Sequence, residues 1–209
     1  MHRSGEDLGQ GARLYRAYFD PAAQQALADE TLERAGAAGW ISPVTPGGRP
    51  FSVRQVNFGP LGWVSDRAGY RYQPDHPATG APWPAIPASL LSAWQALQPA
   101  APPPEACLVN HYQGAAKMGL HVDADEDDRQ TGLVTVSLGA SARFRLGGPD
   151  KRDPTRALTL ESGDVLVMAG ASRNAAHGVD RILPPSGLFS ADLGFDGRLS
   201  LTLRRVTGA

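Results

Sequence analysis

The sequence predicts a mostly β fold with flanking helices, whose core is a double-stranded β-helix, or jelly roll. From Cys107 onward, short runs rich in β-branched residues recur with glycine turn signals between them, as in double-sheet sandwiches. Upstream, an Ala-rich helical run and a Pro- and aromatic-rich stretch form an N-terminal extension. Because domains usually hold about 100–200 residues, the 209 residues suit one structural unit with three parts: a flexible terminus (1–12), the helical extension (13–106) and the core (107–209).

The first predicted helix runs from Pro21 to about Ala35. Asp20 offers an N-cap side chain, and proline is favoured at the first helical position. Gly36 and Gly39 are expected to end the helix. The run is amphipathic, which predicts a helix that packs on a sheet.

Between residues 42 and 106 prolines and glycines are dense, and large aromatic side chains are interleaved with them. The alternating run Phe51–Phe58 predicts a strand, and Pro87 to about Leu97 predicts a second helix. The rest has the chemistry of ordered loops, which in compact domains tend to be lids or binding loops. A Pro-rich linker is the alternative, but linkers rarely hold so many large aromatic residues.

Seven strands are predicted in the β-rich core, with glycines marking several of the turns between them. They are 108–112, 119–122, 133–138, 142–146, 157–160, 164–168 and 198–206. No repeat of fixed period is visible.

Composition narrows the class of protein. With 42% apolar and 20% charged residues, the chain can bury a sizeable core. No run approaches 18 apolar residues and the first ten residues are polar, so we expect no membrane span and no signal peptide. A single cysteine, Cys107, cannot form an internal disulfide, which favours a reducing, cytoplasmic setting. We expect a monomer, and a net charge of −1 argues against coating nucleic acid by bulk electrostatics while allowing a local basic patch.

One short motif carries metal-binding chemistry. His121 and Asp123 lie two apart at the end of a predicted strand, so an imidazole and a carboxylate point to the same face. His177, followed by Gly178, offers a third ligand. Two histidines and one carboxylate on one face of an octahedral metal are the ligand set of non-haem Fe(II) oxygenases. The motif is short enough to arise by chance, so it needs context.

The last predicted strand supplies that context. Its polar side chains recur at period two and alternate with leucines; they are Arg198, Ser200, Thr202 and Arg204. One interpretation is a surface strand with its polar face in water. In a jelly roll, the inward face lines a cavity, and two arginines about 20 Å apart along the strand suit a dicarboxylate approached from both sides. Asn110 and Tyr112 share a face in the same way.

These residues stand in stretches that resemble the AlkB family of Fe(II)/2-oxoglutarate-dependent nucleic-acid dealkylating dioxygenases, and its bacterial repair proteins most of all. The likeness covers about Thr45 to Arg204. The stretches that carry it are 45–48, 61–63, 69–72, 82–84, 110–112, 121–125, 134–139, 144, 147–148, 160–165, 172–173, 177 and 198–204.

The resemblance implies that His121, Asp123 and His177 bind iron. It implies a 2-oxoglutarate pocket with Arg198 on the distal carboxylate and Arg204 near the keto-acid end. The other expected pocket residues are Asn110, Tyr112, Ser200 and Thr202. Ser200 stands where the bacterial family often has asparagine, so its contact is a shorter one with a single donor. His111 replaces a basic residue and receives no role.

The resemblance also implies a nucleotide-recognition lid within residues 13–106. The expected substrate-binding residues are Trp63, Tyr70, Arg71, Tyr72, Asp125 and Lys151. The three aromatic side chains suit stacking on bases, the two cations suit phosphates, and the carboxylate, on the same face as Asp123, suits cationic bases such as 1-methyladenine. The alternatives are a small aromatic core for the rings and solvated loops for the charges; for residues 126–128 we expect a solvated acidic loop.

The implied activity is oxidative dealkylation of N-alkylated bases, such as 1-methyladenine and 3-methylcytosine, in DNA. It consumes 2-oxoglutarate and O₂, yields succinate and CO₂, and releases formaldehyde; the expected partner is alkylated DNA, single-stranded or with a flipped base. Alternatives are the same chemistry on RNA, tRNA or a small molecule, and a non-catalytic jelly-roll module that holds a metal and reads damaged bases. The two strand arginines argue against the module, because it has no need of a dicarboxylate clamp.

Overall fold

Thirteen strands and two α-helices lie in the parts of the chain that the computed structural model describes, residues 4–150, 152–183 and 193–208. In chain order they are β1 (Glu6–Gly9), β2 (Ala12–Tyr15), α1 (Pro21–Ala38), β3 (Arg54–Phe58), β4 (Gly62–Asp66), β5 (Gly69–Gln73), α2 (Ala88–Leu97), β6 (Ala106–Tyr112), β7 (Met118–His121), β8 (Leu133–Gly139), β9 (Ala142–Leu146), β10 (Arg156–Leu160), β11 (Val165–Met168), β12 (His177–Ile182) and β13 (Arg198–Arg204). A 3₁₀ turn, Gly170–Asn174, precedes β12.

The strands form two main antiparallel sheets and a separate hairpin. The large sheet has the order β1-β2-β11-β8-β13-β6-β3, the small sheet has the order β10-β9-β12-β7, and β4 pairs with β5. One cluster of buried side chains joins both sheets, and another joins the large sheet to the helices. The predicted mostly β jelly roll with flanking helices is therefore confirmed. Neither helix is long and apolar enough, within the described ranges, to cross a membrane.

Helix α1 begins as predicted and ends later. The Asp20 side chain accepts a hydrogen bond from the backbone N–H of Ala23 at 2.9 Å, and Pro21 occupies the first turn. The helix runs through Gly36 to Ala38, so only Gly39, at φ 96°, ends it. A single helical glycine costs about 1 kcal/mol, which packing offsets.

The N-terminus differs from the prediction. Instead of a flexible segment to residue 12, β1 and β2 form a hairpin, and β2 pairs with β11 to extend the large sheet. Ala12 and Leu14 are buried in the core. The sequence does not predict this hairpin, because β1 is four residues long and mostly polar and therefore shows neither the length nor the alternation typical of a strand.

Three more strands arise where the sequence predicts none. The hairpin β4–β5 lies in the stretch expected to be an ordered loop. Strand β12 was also missed, since Gly178 and Asp180 break its alternation. Strand β3 begins at Arg54 rather than Phe51, and β13 ends at Arg204 rather than Val206. Strands β12 and β13 are central to the site described next.

Candidate active site and metal centre

The three predicted metal ligands meet at the edge of the small sheet. Strand pairing sets His177 of β12 directly opposite His121 of β7, and their ring centroids lie 4.5 Å apart. Asp123 follows β7, with its carboxylate oxygens 3.6 Å from His121 Nε2 and 3.8 Å from His177 Nε2. All three ligand atoms lie within 4.8 Å of one another. One ion can therefore bind all three.

Backbone carbonyls orient both imidazoles. The Nδ1 atom of His121 lies 2.9 Å from the carbonyl oxygen of Gly119, and that of His177 lies 3.0 Å from the carbonyl oxygen of Ala175. A carbonyl only accepts, so each Nδ1 carries the proton and each Nε2 presents its lone pair to the other ligands. Burial lowers the pKa of His177 to about 4, which keeps its ring neutral, as a metal ligand must be.

Two buried arginines hold the acidic side of the site. An Arg204 Nη donates to Asp123 Oδ2 at 2.8 Å, and its other Nη donates to Glu126 at 3.2 Å. Arg173, only 1% exposed, donates to the backbone carbonyl of Asp123 and to the Glu126 carboxylate. Burial opposes ionisation of Asp123, but the Arg204 charge, with a smaller contribution from Arg173, lowers its pKa below its usual value. The ligand carboxylate is therefore ionised and fixed in place.

Glu126 and Arg173 support the site through buried ion pairs that the sequence pattern does not predict. The expectation that residues 126–128 form a solvated acidic loop is wrong for Glu126, which is 4% exposed and pairs with both Arg173 and Arg204. The reason is tertiary: a carboxylate in an acidic run becomes buried only where cations from distant strands meet it. The sequence signal was slight, since Arg173 stood only in a stretch that carries the family likeness.

Arg198 lies at the other end of the same cavity. It is 1% exposed, donates to Ser137 Oγ at 2.6 Å, and makes only long contacts of 3.4 and 3.5 Å to carbonyl oxygens. Its buried Nε has no hydrogen-bond partner in the described residues. Burial lowers the pKa of Arg198 to about 10, so it is still charged at neutral pH. A buried cation without a carboxylate beside it is suited to an anionic ligand.

The remaining predicted pocket residues line the space between the two arginines. Asn110 accepts a hydrogen bond from Gln55 Nε2 at 2.7 Å, and Thr202 and Thr135 share one at 3.2 Å. Tyr112 and Ser200 line the same cavity, whose volume is about 360 Å³. Gln55 also lines it, although the sequence pattern does not predict a pocket residue at that position. Its position in the buried, alternating part of β3 is the only signal that marks it.

Three of the six expected substrate residues border this cavity. The rings of Trp63 and Tyr70 stack at 5.6 Å, and Trp63 Nε1 donates to Asp125 Oδ2 at 2.7 Å. The side chain of Asn57, fully buried, bonds both the N–H and the carbonyl of Trp63, which fixes the start of the hairpin. Asp125 Oδ1 accepts no hydrogen bond from the described residues. The mouth of the cavity therefore has an aromatic wall, formed by Trp63 and Tyr70, beside the carboxylate of Asp125.

The other three are not brought to the cavity wall. The hydroxyl of Tyr72 lies between Glu126 and Arg204, so this ring belongs to the acidic network rather than to an open stacking surface. Arg71 is paired with Asp66 at 2.8 Å. Lys151 lies outside the described residues.

The residues present fit both an iron ion and 2-oxoglutarate. Two neutral imidazole nitrogens and one ionised carboxylate match the facial ligand set for Fe(II). The guanidinium of Arg198, which forms no ion pair with a described residue and whose Nε has no hydrogen-bond partner there, fits a carboxylate at the far end of the same cavity.

The sequence of this chain is similar to those of known oxygenases. Residues 11–204 match the 2OG-Fe(II) oxygenase superfamily. Over 199 residues, 95% of this chain and 89% of the relative, the chain is 46% identical to an alpha-ketoglutarate-dependent dioxygenase AlkB homolog of Caulobacter vibrioides. It is 40% identical to the alpha-ketoglutarate-dependent dioxygenase AlkB of Escherichia coli, over 96% of this chain and 93% of that one.

A solved structure, that of OsALKBH1, superimposes with a TM-score of 0.81 at 30% identity, covering 97% of this chain and 100% of that one. The predicted resemblance and the predicted need for Fe(II), 2-oxoglutarate and O₂ are confirmed. The chain belongs to the AlkB family of the 2OG-Fe(II) oxygenase superfamily.

Proposed function

We propose that this protein removes alkyl groups from N-alkylated bases, of the 1-methyladenine and 3-methylcytosine type, in DNA. The observation that carries the proposal is that one cavity joins the His121–Asp123–His177 triad, the unpaired Arg198 and the aromatic wall with Asp125. A metal centre, a dicarboxylate site and a base site are thus available within one enclosure. The protein's contribution to such a reaction is to hold the metal, the dicarboxylate and the base in the correct positions relative to one another.

Each part of the cavity has its own task. Arg198 binds the distal carboxylate of 2-oxoglutarate, with Tyr112 and Ser200 beside it and Asn110 held by Gln55. Arg204 keeps the Asp123 carboxylate in its ligand orientation. His121, Asp123 and His177 would hold Fe(II), which would supply the oxidation in which one oxygen atom of O₂ is transferred to the alkyl carbon and the other to succinate as 2-oxoglutarate loses CO₂. The hydroxylated methyl group then leaves as formaldehyde, and the base is restored.

The mouth supports a cationic aromatic substrate. Trp63 and Tyr70 offer ring faces, and base stacking contributes about 1–3 kcal/mol. Asp125 keeps Oδ1 free for the exocyclic amine of a base, and its charge favours a cation over a neutral base. Because the triad lies inside the cavity, the base must be single-stranded or flipped out of the duplex.

The direct test is a methylated oligonucleotide. With Fe(II), 2-oxoglutarate and O₂, a 1-methyladenine oligonucleotide should lose one CH₂ in mass and release one formaldehyde for each succinate formed. Anaerobic addition of Fe(II) and 2-oxoglutarate should give a visible charge-transfer band that does not depend on turnover. Succinate formation with no loss of the methyl group would contradict the proposed substrate and leave only the oxygenase chemistry.

RNA is the competing substrate. The same methylated sequence as RNA, assayed at equal concentration, decides between them: a larger kcat/KM on RNA would move the proposal from DNA repair to RNA demethylation. The monomeric state and the cytoplasmic location stay predictions, which size-exclusion chromatography with light scattering and cell fractionation would test.

A further inference from the structure

The outer face of the small sheet carries a group of arginines that the site does not use. On β9, Phe144 points into the core while Arg143 and Arg145 alternate to the outside. Strand pairing places Arg181 of β12 directly opposite Arg143. Side chains at opposite positions share a face, so the three arginines lie together; we call Arg143, Arg145, Arg181 and the neighbouring Asp180 the basic patch.

Asp180 organises the patch without neutralising it. One carboxylate oxygen lies 2.9 Å from Arg145 Nε and the other lies 3.6 Å from Arg143 Nε, and both arginine side chains are over a third exposed. The terminal guanidinium nitrogens of these two residues donate no hydrogen bond to another described residue. Arg181 is exposed and forms neither an ion pair nor a side-chain hydrogen bond in the described part of the chain. The patch therefore has a net charge of +2, carried by side chains that are at least partly exposed.

Three arginines side by side lower the stability of the sheet, and an anionic ligand would offset their repulsion. Like charges at directly opposite strand positions destabilise a sheet, and one aspartate for three arginines relieves only part of the repulsion. Arg143 and Arg145 face Asp180 with their Nε atoms, which leaves their terminal N–H groups for a ligand. The fork of these groups is the geometry that binds phosphate oxygens in pairs. Arg143 and Arg145 lie about 7 Å apart along the strand, so they suit a chain of separate phosphates better than a single small anion.

The patch lies close to the mouth of the catalytic cavity. Gly178, opposite Arg145, directly follows the ligand His177, whose ring faces the cavity from the other side of β12. Only the edge strand β7 separates β12 from solvent, and neighbouring strands are about 5 Å apart. Lys117, exposed just before β7, adds a further cation on that edge. A polymer that leaves the mouth over the β7 edge reaches Arg181 after crossing one strand, and Arg143 and Arg145, on β9, after crossing two.

We propose that the basic patch binds the phosphodiester backbone of the nucleic-acid strand whose alkylated base occupies the cavity, a few nucleotides away from that base. This rests on the proposed function for the identity of the polymer. The patch would give the enzyme affinity for a strand rather than for an isolated nucleotide, although the net charge of the whole chain is −1.

The test compares two double variants with the same change in charge: R143Q/R145Q in the patch, and R13Q/R34Q on β2 and α1 as the control. Fluorescence anisotropy measures binding of an unmodified single-stranded 12-mer across a range of salt concentrations. Demethylation is measured in parallel on a methylated trinucleotide and on the same lesion within a 12-mer. Circular dichroism verifies that both variants fold.

The patch variant should bind the 12-mer about 3- to 10-fold more weakly, and two lost phosphate contacts should reduce the slope of log K against log salt by about 1.4. Its turnover of the trinucleotide should stay within about twofold of wild type, and the control should match wild type throughout. An unchanged salt slope, or equal losses in both double variants, would overturn the proposal. If wild-type enzyme demethylates neither substrate but the slope still changes, the proposed function fails while the patch remains.

Discussion

Two buried arginines of β13 show how a residue's partners reveal its role. Arg204 pairs with Asp123 and Glu126 and donates to the hydroxyl of Tyr72, so its charge is balanced within the protein, while its buried Nε has no hydrogen-bond partner among the described residues. Arg198 is equally buried but meets no carboxylate among the described residues. An unpaired buried charge costs several kcal/mol, and a bound carboxylate offsets that cost. The two ends of one strand thus differ in their partners: Arg204 has carboxylates of the protein beside it, and we propose that Arg198 binds a carboxylate of the ligand.

Replacement of Arg198 should affect 2-oxoglutarate and spare iron. In Arg198→Ala the distal carboxylate loses its charged hydrogen bonds, so the KM for 2-oxoglutarate should rise about 10- to 100-fold. Iron affinity, measured by anaerobic titration, should stay near wild type because the triad is untouched. Arg198→Lys should recover only part of the loss, since an ammonium cannot reproduce the guanidinium fork. An unchanged KM in both variants would remove Arg198 from the pocket.

Asp125 should select the charge of the base. Asp125→Asn keeps an oxygen for the Trp63 indole N–H but removes the negative charge. Its kcat/KM on 1-methyladenine DNA should fall about 10-fold, while 2-oxoglutarate turnover in the absence of nucleic acid stays near wild type. Asp125→Ala should lose more, because Trp63 also loses its anchor. Equal losses in coupled and uncoupled turnover would argue against a role in recognition.

At the scale of elements, the β4–β5 hairpin is tied to the segment that carries the metal ligand. Trp63 bonds Asp125, and Tyr72 bonds Glu126 and Arg204, so two strands of the hairpin each contact residues just after Asp123. The aromatic wall that we propose binds the base and the metal centre are therefore held by one network. A hairpin is marginal by itself, and this network gives it a fixed position.

Loss of the Tyr72 hydroxyl should loosen the hairpin without releasing the metal. Tyr72→Phe removes hydrogen bonds to charged groups, so the free energy of unfolding should fall by about 1.5–3 kcal/mol in urea denaturation. Iron affinity should be retained, because the Arg204–Asp123 contact at 2.8 Å persists. Hydrogen exchange should rise in residues 62–73 and stay unchanged in β9, which serves as the internal control. Unaltered exchange in the hairpin would show that Tyr72 does not hold it.

Gly197 permits the start of β13. At φ 87°, it is left-handed, and an added Cβ would lie 2.0 Å from the Tyr112 carbonyl oxygen. Gly197→Ala should therefore destabilise the protein by about 2–4 kcal/mol and weaken 2-oxoglutarate binding through Arg198. Gly9→Ala is the matched control, since Gly9 has φ 80° but open space around it. Similar losses in both variants would mean that backbone strain, and not the contact, sets the cost.

At the scale of the whole molecule, His111 links the helical extension to the core. Its Nδ1 lies 3.0 Å from an Arg54 nitrogen, which can only donate, so Nε2 carries the proton and donates to the Asp196 carbonyl at 2.8 Å. Trp40 and Phe195 pack on its ring. The neutral tautomer thus joins β3, β6 and the segment that leads into Arg198.

Acid should weaken this link. Burial, with help from the Arg54 charge, lowers the pKa of His111 below its usual 6.5. A folded-state pKa below the unfolded value means that the contribution is complete above about pH 6.5 and is lost as the pH falls towards the folded pKa. The free energy of unfolding should therefore decrease from pH 7 to pH 5, and less steeply in His111→Gln, which cannot titrate. Parallel pH profiles would exclude His111 as the cause.

The sequence alone determined the local patterns of this protein: the period-two alternation of β13, the His-x-Asp motif and the capped start of α1. Each depends on residues a few positions apart, whose geometry is set by the strand or helix itself. From the resemblance to a family, the sequence also predicted the fold, the iron ligands and the 2-oxoglutarate pocket. It placed Tyr72 among the base-stacking residues, where the structure puts its hydroxyl in the acidic network.

Only the tertiary structure decided which charges meet. His177 lies opposite His121 because β12 pairs with β7, and the sequence pattern does not predict β12. The same pairing places Arg181 beside Arg143, and the loop after β7 buries Glu126 between Arg173 and Arg204. The physical reason is that the ionisation and role of a charged side chain depend on burial and on partners far away in sequence, and strand register fixes both.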